Sequence, residues 1–223
     1  MKLYKSICTL IFLLLEGILY YYILTSGGEM LANSCFSSIV LCFVYALIML
    51  GKPLLVTGLA FTAGADYFLV TYTPSWQLPG MACFLVVQFL YALFLHRQGF
   101  KWGYLAVRLC LMALITAIAL IILKENADPL AIISVLYYAN LVMNMVMAFA
   151  KFKRFPLLAV GFVLFILCDT VIGLQVASGG YLPISENSLL YKILFMDLNL
   201  AWLFYLPSQV LIALTSAIKA PQK

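Results

Sequence analysis

Long apolar runs alternate with short polar breaks along the whole chain. A helix needs about 20 mainly apolar residues to cross about 30 Å of hydrocarbon. Runs of that kind lie at roughly 6–24, 33–50, 54–71, 80–95, 103–123, 129–149, 157–177 and 193–217. They predict an all-α fold: a polytopic transmembrane bundle of about eight helices, forming a single transmembrane domain over 1–223. The connections are too short to hold an extramembrane domain. The first run has the look of a signal peptide, with Lys2 and Lys5 ahead of it. Glu16 interrupts that run and no small-residue cleavage site follows, so it is expected to remain as a helix.

Composition sharpens this picture. Of 223 residues, 66% are hydrophobic and 9% charged, against about 45–50% and about 25% in ordinary soluble domains. Mean hydropathy is +1.11. A soluble enzyme, a disordered chain and a coiled coil are excluded. The net charge of +5 comes from basic residues dispersed among short loops, so it predicts no nucleic-acid partner. The six cysteines contain no CxxC pair and read as small buried hydrophobes. His96 is the only histidine, which removes His-based triads and HExxH sites. No metal site and no cofactor are predicted.

Loop charges give an orientation. One side collects Lys2, Lys5, Lys52, Arg97, Lys101, Lys151, Lys153, Arg154, Lys219 and Lys223, with no acid among them. The opposite loops hold Lys124 and Lys192 beside Glu29, Glu125, Asp128 and Glu186. By the positive-inside rule both termini are expected in the cytoplasm, with a bacterial plasma membrane as the expected location. Arg108, one turn inside the fifth span, is expected to snorkel to the basic surface.

A spacing recurs. Pro53, Gly58 and Asp66 are 5 and 8 apart, and Pro156, Gly161 and Asp169 repeat that pattern 103 positions later. The stretch from Gln88 to Leu93 also resembles the stretch from Gln209 to Leu214. Two parallel halves, 1–97 and 98–223, are therefore expected.

Ionisable groups inside a membrane cost about 2.5–3.5 kcal/mol each on insertion scales. Asp66 and Asp169 both lie 13 residues past their proline, about 20 Å along a helix. A pseudo-two-fold axis would bring them together at one depth. Two carboxyls facing each other in low dielectric resist joint ionisation, which leaves one acid beside one base. The plainer alternative is a pair of helix-packing acids. Further polar stripes run through Tyr137, Asn140 and Asn144, through Gln88 and Tyr91, and through Asn199, Trp202, Tyr205 and Gln209. They either converge on a hydrated cavity or bond helix to helix. Glu16 is placed near the midplane, Asp197 at the interface, and Pro207 is expected to kink the last span.

The stretch GLAFTAGADYFLV around Asp66, the Gln88–Tyr91 stretch, the Tyr138 to Met145 segment, AVGFVLFILCDTVIG around Asp169 and FYLPSQVLIALTS follow one another in order. Together they resemble the YhhN-type lysoplasmalogenase family of eight-span membrane proteins. The resemblance implies hydrolysis of the vinyl ether of a lysophospholipid, with Asp66 and Asp169 as the catalytic pair. Substrate contacts are expected at Gln88, Tyr91, Tyr138, Asn140, Asn144, Tyr205 and Gln209. This chain departs from the family at Ala65 and Cys168, where glycine and serine are usual, and at Gln88, where a histidine is usual. A proton-coupled transporter of a small solute or lipid is the alternative, since parallel repeats with midmembrane acids also describe transporters.

Overall fold

Prolines and short polar caps set where the helices begin. Pro53 and Pro129 sit in the first turns of their helices, where the missing N–H has no intrahelical partner to lose. Asp128 accepts from the Ala131 amide at 2.6 Å, so this expected loop acid is an N-cap. The computed structural model describes residues 2–25, 30–71, 75–100, 102–123, 128–178 and 184–218. Its helices are α1 (Lys2–Thr25), α2 (Met30–Ile48), α3 (Pro53–Asp66), α4 (Gln77–His96), α5 (Trp102–Leu123), α6 (Pro129–Ala150), α7 (Pro156–Ser178), α8 (Leu189–Leu194) and α9 (Leu200–Ala217), with no strand among the described residues. Among the described residues seven helical segments are long and apolar enough to cross a membrane, α3 counting together with the residues that continue it to Val70. The fifth expected span is α5, 22 residues long, with a shorter described apolar stretch, Gly103–Ile118. The chain is an integral, multi-pass membrane protein.

The last expected span needs correction. Residues 193–199 do not extend it: Leu189–Leu194 is a separate short helix, and Asn199 caps α9 by accepting from the Trp202 amide at 3.3 Å. Asp197 and Asn199 mark this break, but the apolar residues on either side of them let the run read as one span. The expected loop charges Glu29, Lys101, Lys124, Glu125, Lys219 and Lys223 lie outside the described residues.

Six helices close a ring in the order α2, α3, α4, α6, α7, α9 and back to α2. α1 docks outside against α2 and α9, and α5 outside against α6. Both outer helices carry rows of exposed leucine and isoleucine, such as Leu10, Leu14, Ile18, Leu114, Ile118 and Ile121. Those faces suit lipid tails, which are as apolar as leucine. The basic end of the ring is laced by Lys52, whose ammonium donates to the carbonyls of Thr215 at 2.6 Å, Ser216 at 3.4 Å and Ile218. A cation on the open carbonyls of a helix C-terminus is favourable. Burial, and then the nearby Arg154 charge, pull the Lys52 ammonium below its ordinary value.

The small residues of the repeated spacing allow close approach. A Cβ on Gly58 would stand 2.3 Å from Cε1 of Tyr91, and one on Gly161 would stand 3.2 Å from the Ser208 carbonyl. Gly58→Ala therefore has to displace the Tyr91 ring, at about 1–3 kcal/mol. The expected result is a lower thermal midpoint in detergent, largely recovered in the double variant Gly58→Ala, Tyr91→Leu.

Candidate functional site

Asp66 closes α3, and the chain continues through a π-helical turn, Tyr67–Thr71. Such turns recur at functional sites. The Asp66 carboxyl is buried, and its Oδ2 accepts from the Tyr205 hydroxyl of α9 at 2.6 Å. Asp169 lies midway along α7, partly buried, and its Oδ2 accepts from the Tyr137 hydroxyl of α6 at 2.5 Å. Among the described residues Oδ1 of each carboxyl takes no hydrogen bond. Each acid is thus held by one oxygen and leaves the other available.

One aromatic cluster joins the two tyrosines. Phe165 lies 5.4 Å from Tyr205 and 6.3 Å from Tyr137, ring centre to ring centre. Phe84 lies 5.5 Å from Tyr137, 6.4 Å from Tyr205 and 6.0 Å from Phe165. The two carboxyls meet this cluster from either side, each through the hydroxyl of one of its tyrosines. Four different ring helices, α3, α6, α7 and α9, supply the two acids and their hydroxyl partners.

The profile of the YhhN family matches residues 33–216, which takes in all four of these residues. The chain belongs to the YhhN family. No curated protein and no solved structure matches it. The YhhN match begins inside α2, so α1 with its Glu16 lies ahead of it.

Within this YhhN chain the other expected residues divide into groups. Tyr205 is at the acids. Tyr138 is not: its hydroxyl pairs with Thr170 Oγ1 at 2.9 Å, and its neighbour Tyr137 is the one that reaches Asp169. One residue is 100° of helix, and the i, i+3, i+7 spacing of Tyr137, Asn140 and Asn144 is the signal that selects it. Asn140 and Asn144 hold Arg108, accepting on their Oδ1 atoms at 2.6–3.0 Å. Arg108 therefore does not snorkel; it is 3% exposed, because a polar helix face meets it inside the bundle. Gln88 and Tyr91 are fully buried on α4, and Gln209 on α9 donates to Ser208 Oγ at 3.2 Å. Of the six cysteines, Cys35, Cys42 and Cys168 are buried, Cys8 and Cys83 are half-buried and Cys110 is exposed.

Glu16 is buried between α1 and α2, where it accepts from Ser38 Oγ at 2.9 Å and Cys42 Sγ at 3.3 Å. It also borders an apolar crevice of about 280 Å³ between α1 and α9, with Leu13, Gly17, Tyr20, Pro207 and Val210. Pro207 has no N–H for the Leu203 carbonyl one turn back. The Tyr20 hydroxyl supplies the missing donor at 3.0 Å, which ties α1 to α9. Asp197 is exposed, in an open groove with Glu186 and Lys192.

The two tyrosines give a test of the site. A hydrogen bond to a charged group contributes about 1.5–3 kcal/mol. Tyr205→Phe and Tyr137→Phe should each lower turnover about tenfold or more, since each about 1.4 kcal/mol is a factor of ten. Tyr138→Phe should leave turnover near wild type. Equal effects at all three positions in kcat would contradict this assignment.

Proposed function

We propose that this YhhN protein is an intramembrane hydrolase that cleaves the vinyl-ether bond of a lysoplasmalogen, releasing a fatty aldehyde and a glycerophospho-alcohol. The observation that carries the proposal is the acid pair: two carboxyls across one aromatic cluster, each pinned through Oδ2 by its own tyrosine. A vinyl ether resists base but breaks down once its β-carbon receives a proton. One protonated aspartic acid delivers that proton, giving an oxocarbenium ion. The ionised partner stabilises the cation and takes a proton from the attacking water. Oxygen from that water bonds the α-carbon, and the hemiacetal then collapses to aldehyde and alcohol. In that collapse the first aspartate, now ionised, takes the hemiacetal hydroxyl proton, and the second, now protonated, gives its proton to the leaving oxygen, so both carboxyls return to their starting forms.

A single hydrocarbon chain suits the crevice between α1 and α9, whose lining is apolar apart from Glu16 and the Tyr20 hydroxyl. It adjoins Leu206, the neighbour of Tyr205. Gly17 faces open space there, so Gly17→Trp should fill the crevice and raise KM without lowering the thermal midpoint. An unchanged KM in the folded variant would remove the crevice from the proposal.

The reading as two parallel halves is supported by the ring order. It is also supported by Cys35, Ser38 and Cys42 on α2, whose spacing matches that of Tyr137, Asn140 and Asn144 on α6. The basic loop side remains our proposed cytoplasmic side.

The proposal is tested with purified protein in detergent, comparing a choline lysoplasmalogen with the ester-linked lysolipid of the same chain length. Aldehyde release from the first and no cleavage of the second is expected. Solute or lipid uptake by proteoliposomes under a pH gradient, with no aldehyde release, would replace hydrolysis by transport.

A further inference from the structure

The guanidinium of Arg108 has five N–H donors and no acceptor. All five are taken: Nε–H by Asn140 Oδ1, two on one terminal nitrogen by Asn144 Oδ1 and Met147 Sδ, and two on the other by the Asn140 carbonyl and Oδ1. Arg108 therefore has nothing left to offer a ligand. What it does is fix direction. An amide facing a guanidinium must present its oxygen, so neither asparagine can be turned around. The Nδ2 of Asn140 is consumed by its own helix, at the Leu136 carbonyl. The Nδ2 of Asn144 reaches across to α4 and donates to both the carbonyl and Oε1 of Gln88, at 2.9 Å each.

The Gln88 amide is thereby fixed as well: its oxygen faces Asn144, and its Nε2 faces the other way. That Nε2 carries two donors, is fully buried, and finds no acceptor among the described residues. One turn along the same face of α4, Tyr91 is also fully buried, and its hydroxyl has no partner in hydrogen-bond geometry among the described residues, Thr62 being the nearest hydroxyl to it. Residues three apart on a helix are neighbours. Thr62 lies one turn before Asp66 on α3, so the Tyr91 hydroxyl sits about one turn from Asp66, on the side of the basic loops. A water molecule needs two to four polar partners, and two unpartnered polar groups three residues apart on one helix face can supply them.

We infer that Gln88 Nε2 and the Tyr91 hydroxyl form an internal water site beneath the aspartates, aimed by Arg108 through Asn144. Gln88 and Tyr91 hold the water, and Arg108 is a positioning residue. The further assignment of this water as the one consumed in hydrolysis rests on the hydrolase proposal; the site itself does not.

The experiment is X-ray radiolytic hydroxyl labelling of the full chain in detergent, read by mass spectrometry, which marks side chains beside internal water. Tyr91 is expected to be labelled although buried, while Tyr45, a buried tyrosine whose hydroxyl is paired with Thr9, is not. Gln88→Leu is expected to abolish the Tyr91 label. Wild-type Tyr91 labelled no more than Tyr45 overturns the inference, and this needs no variant to fold. A Tyr91 label that persists in folded Gln88→Leu also overturns it. The same preparations are assayed for aldehyde release, so that a labelled but inactive wild type retires the hydrolase proposal alone, and an active but unlabelled one retires the water site alone.

Discussion

Replacing Arg108 with methionine is expected to lower the thermal midpoint of the purified protein by roughly 4–24 °C. The methionine fills much of the space but leaves the side-chain oxygens of Asn140 and Asn144 without donors inside the bundle. Each buried orphan costs about 1–3 kcal/mol, and for a chain of this length each kcal/mol is about 2–4 °C. Arg108→Lys is expected to recover little. Lysine keeps the charge, but its three donors radiate from one atom, whereas the guanidinium spreads five over a planar fork. Full recovery in Arg108→Lys would mean that charge, and not the fork, is what the asparagines require. Differential scanning fluorimetry of the three proteins in one detergent decides the matter.

The second large effect falls on the acids. Asp66→Asn and Asp169→Asn each keep the shape and the tyrosine hydrogen bond, but neither amide can carry a transferable acid proton or a full negative charge. Positioned acid or base catalysis contributes about 10²–10⁴-fold, and each variant is expected to lose activity on that scale. Because the two carboxyls act as one unit, the double variant should be little worse than either single one. Losses that multiply would indicate two independent roles and contradict the joint action of the pair.

Much of this arrangement was legible in the sequence, for definite reasons. Apolar runs of membrane length announce helices with little ambiguity, and a proline at a fixed distance before each aspartate encodes depth directly. The tyrosine partners were half legible. Tyr205 lay in a visible polar stripe, but Tyr137 and Tyr138 are adjacent, and only helical phase separates the residue that reaches Asp169 from the one that reaches Thr170. Arg108 was misplaced because a cation one turn inside a span ordinarily snorkels. Its burial depends on Asn140 and Asn144 meeting it from another helix, and sequence spacing carries no information about which helices are neighbours. The break before Leu200 contains Asp197 and Asn199, but the apolar residues on both sides make it read as one span. Tyr20 answering the carbonyl freed by Pro207 is likewise a contact between distant parts of the chain, 183 residues apart for the bonded pair.

The most direct measurement is initial-rate aldehyde release from a choline lysoplasmalogen by folded, monodisperse protein, with wild type, Asp66→Asn and Asp169→Asn assayed side by side. The account predicts release by wild type and loss in both variants, each retaining a near-native thermal midpoint. Release at the wild-type rate by either variant would contradict it, and so would a folded wild type that releases no aldehyde.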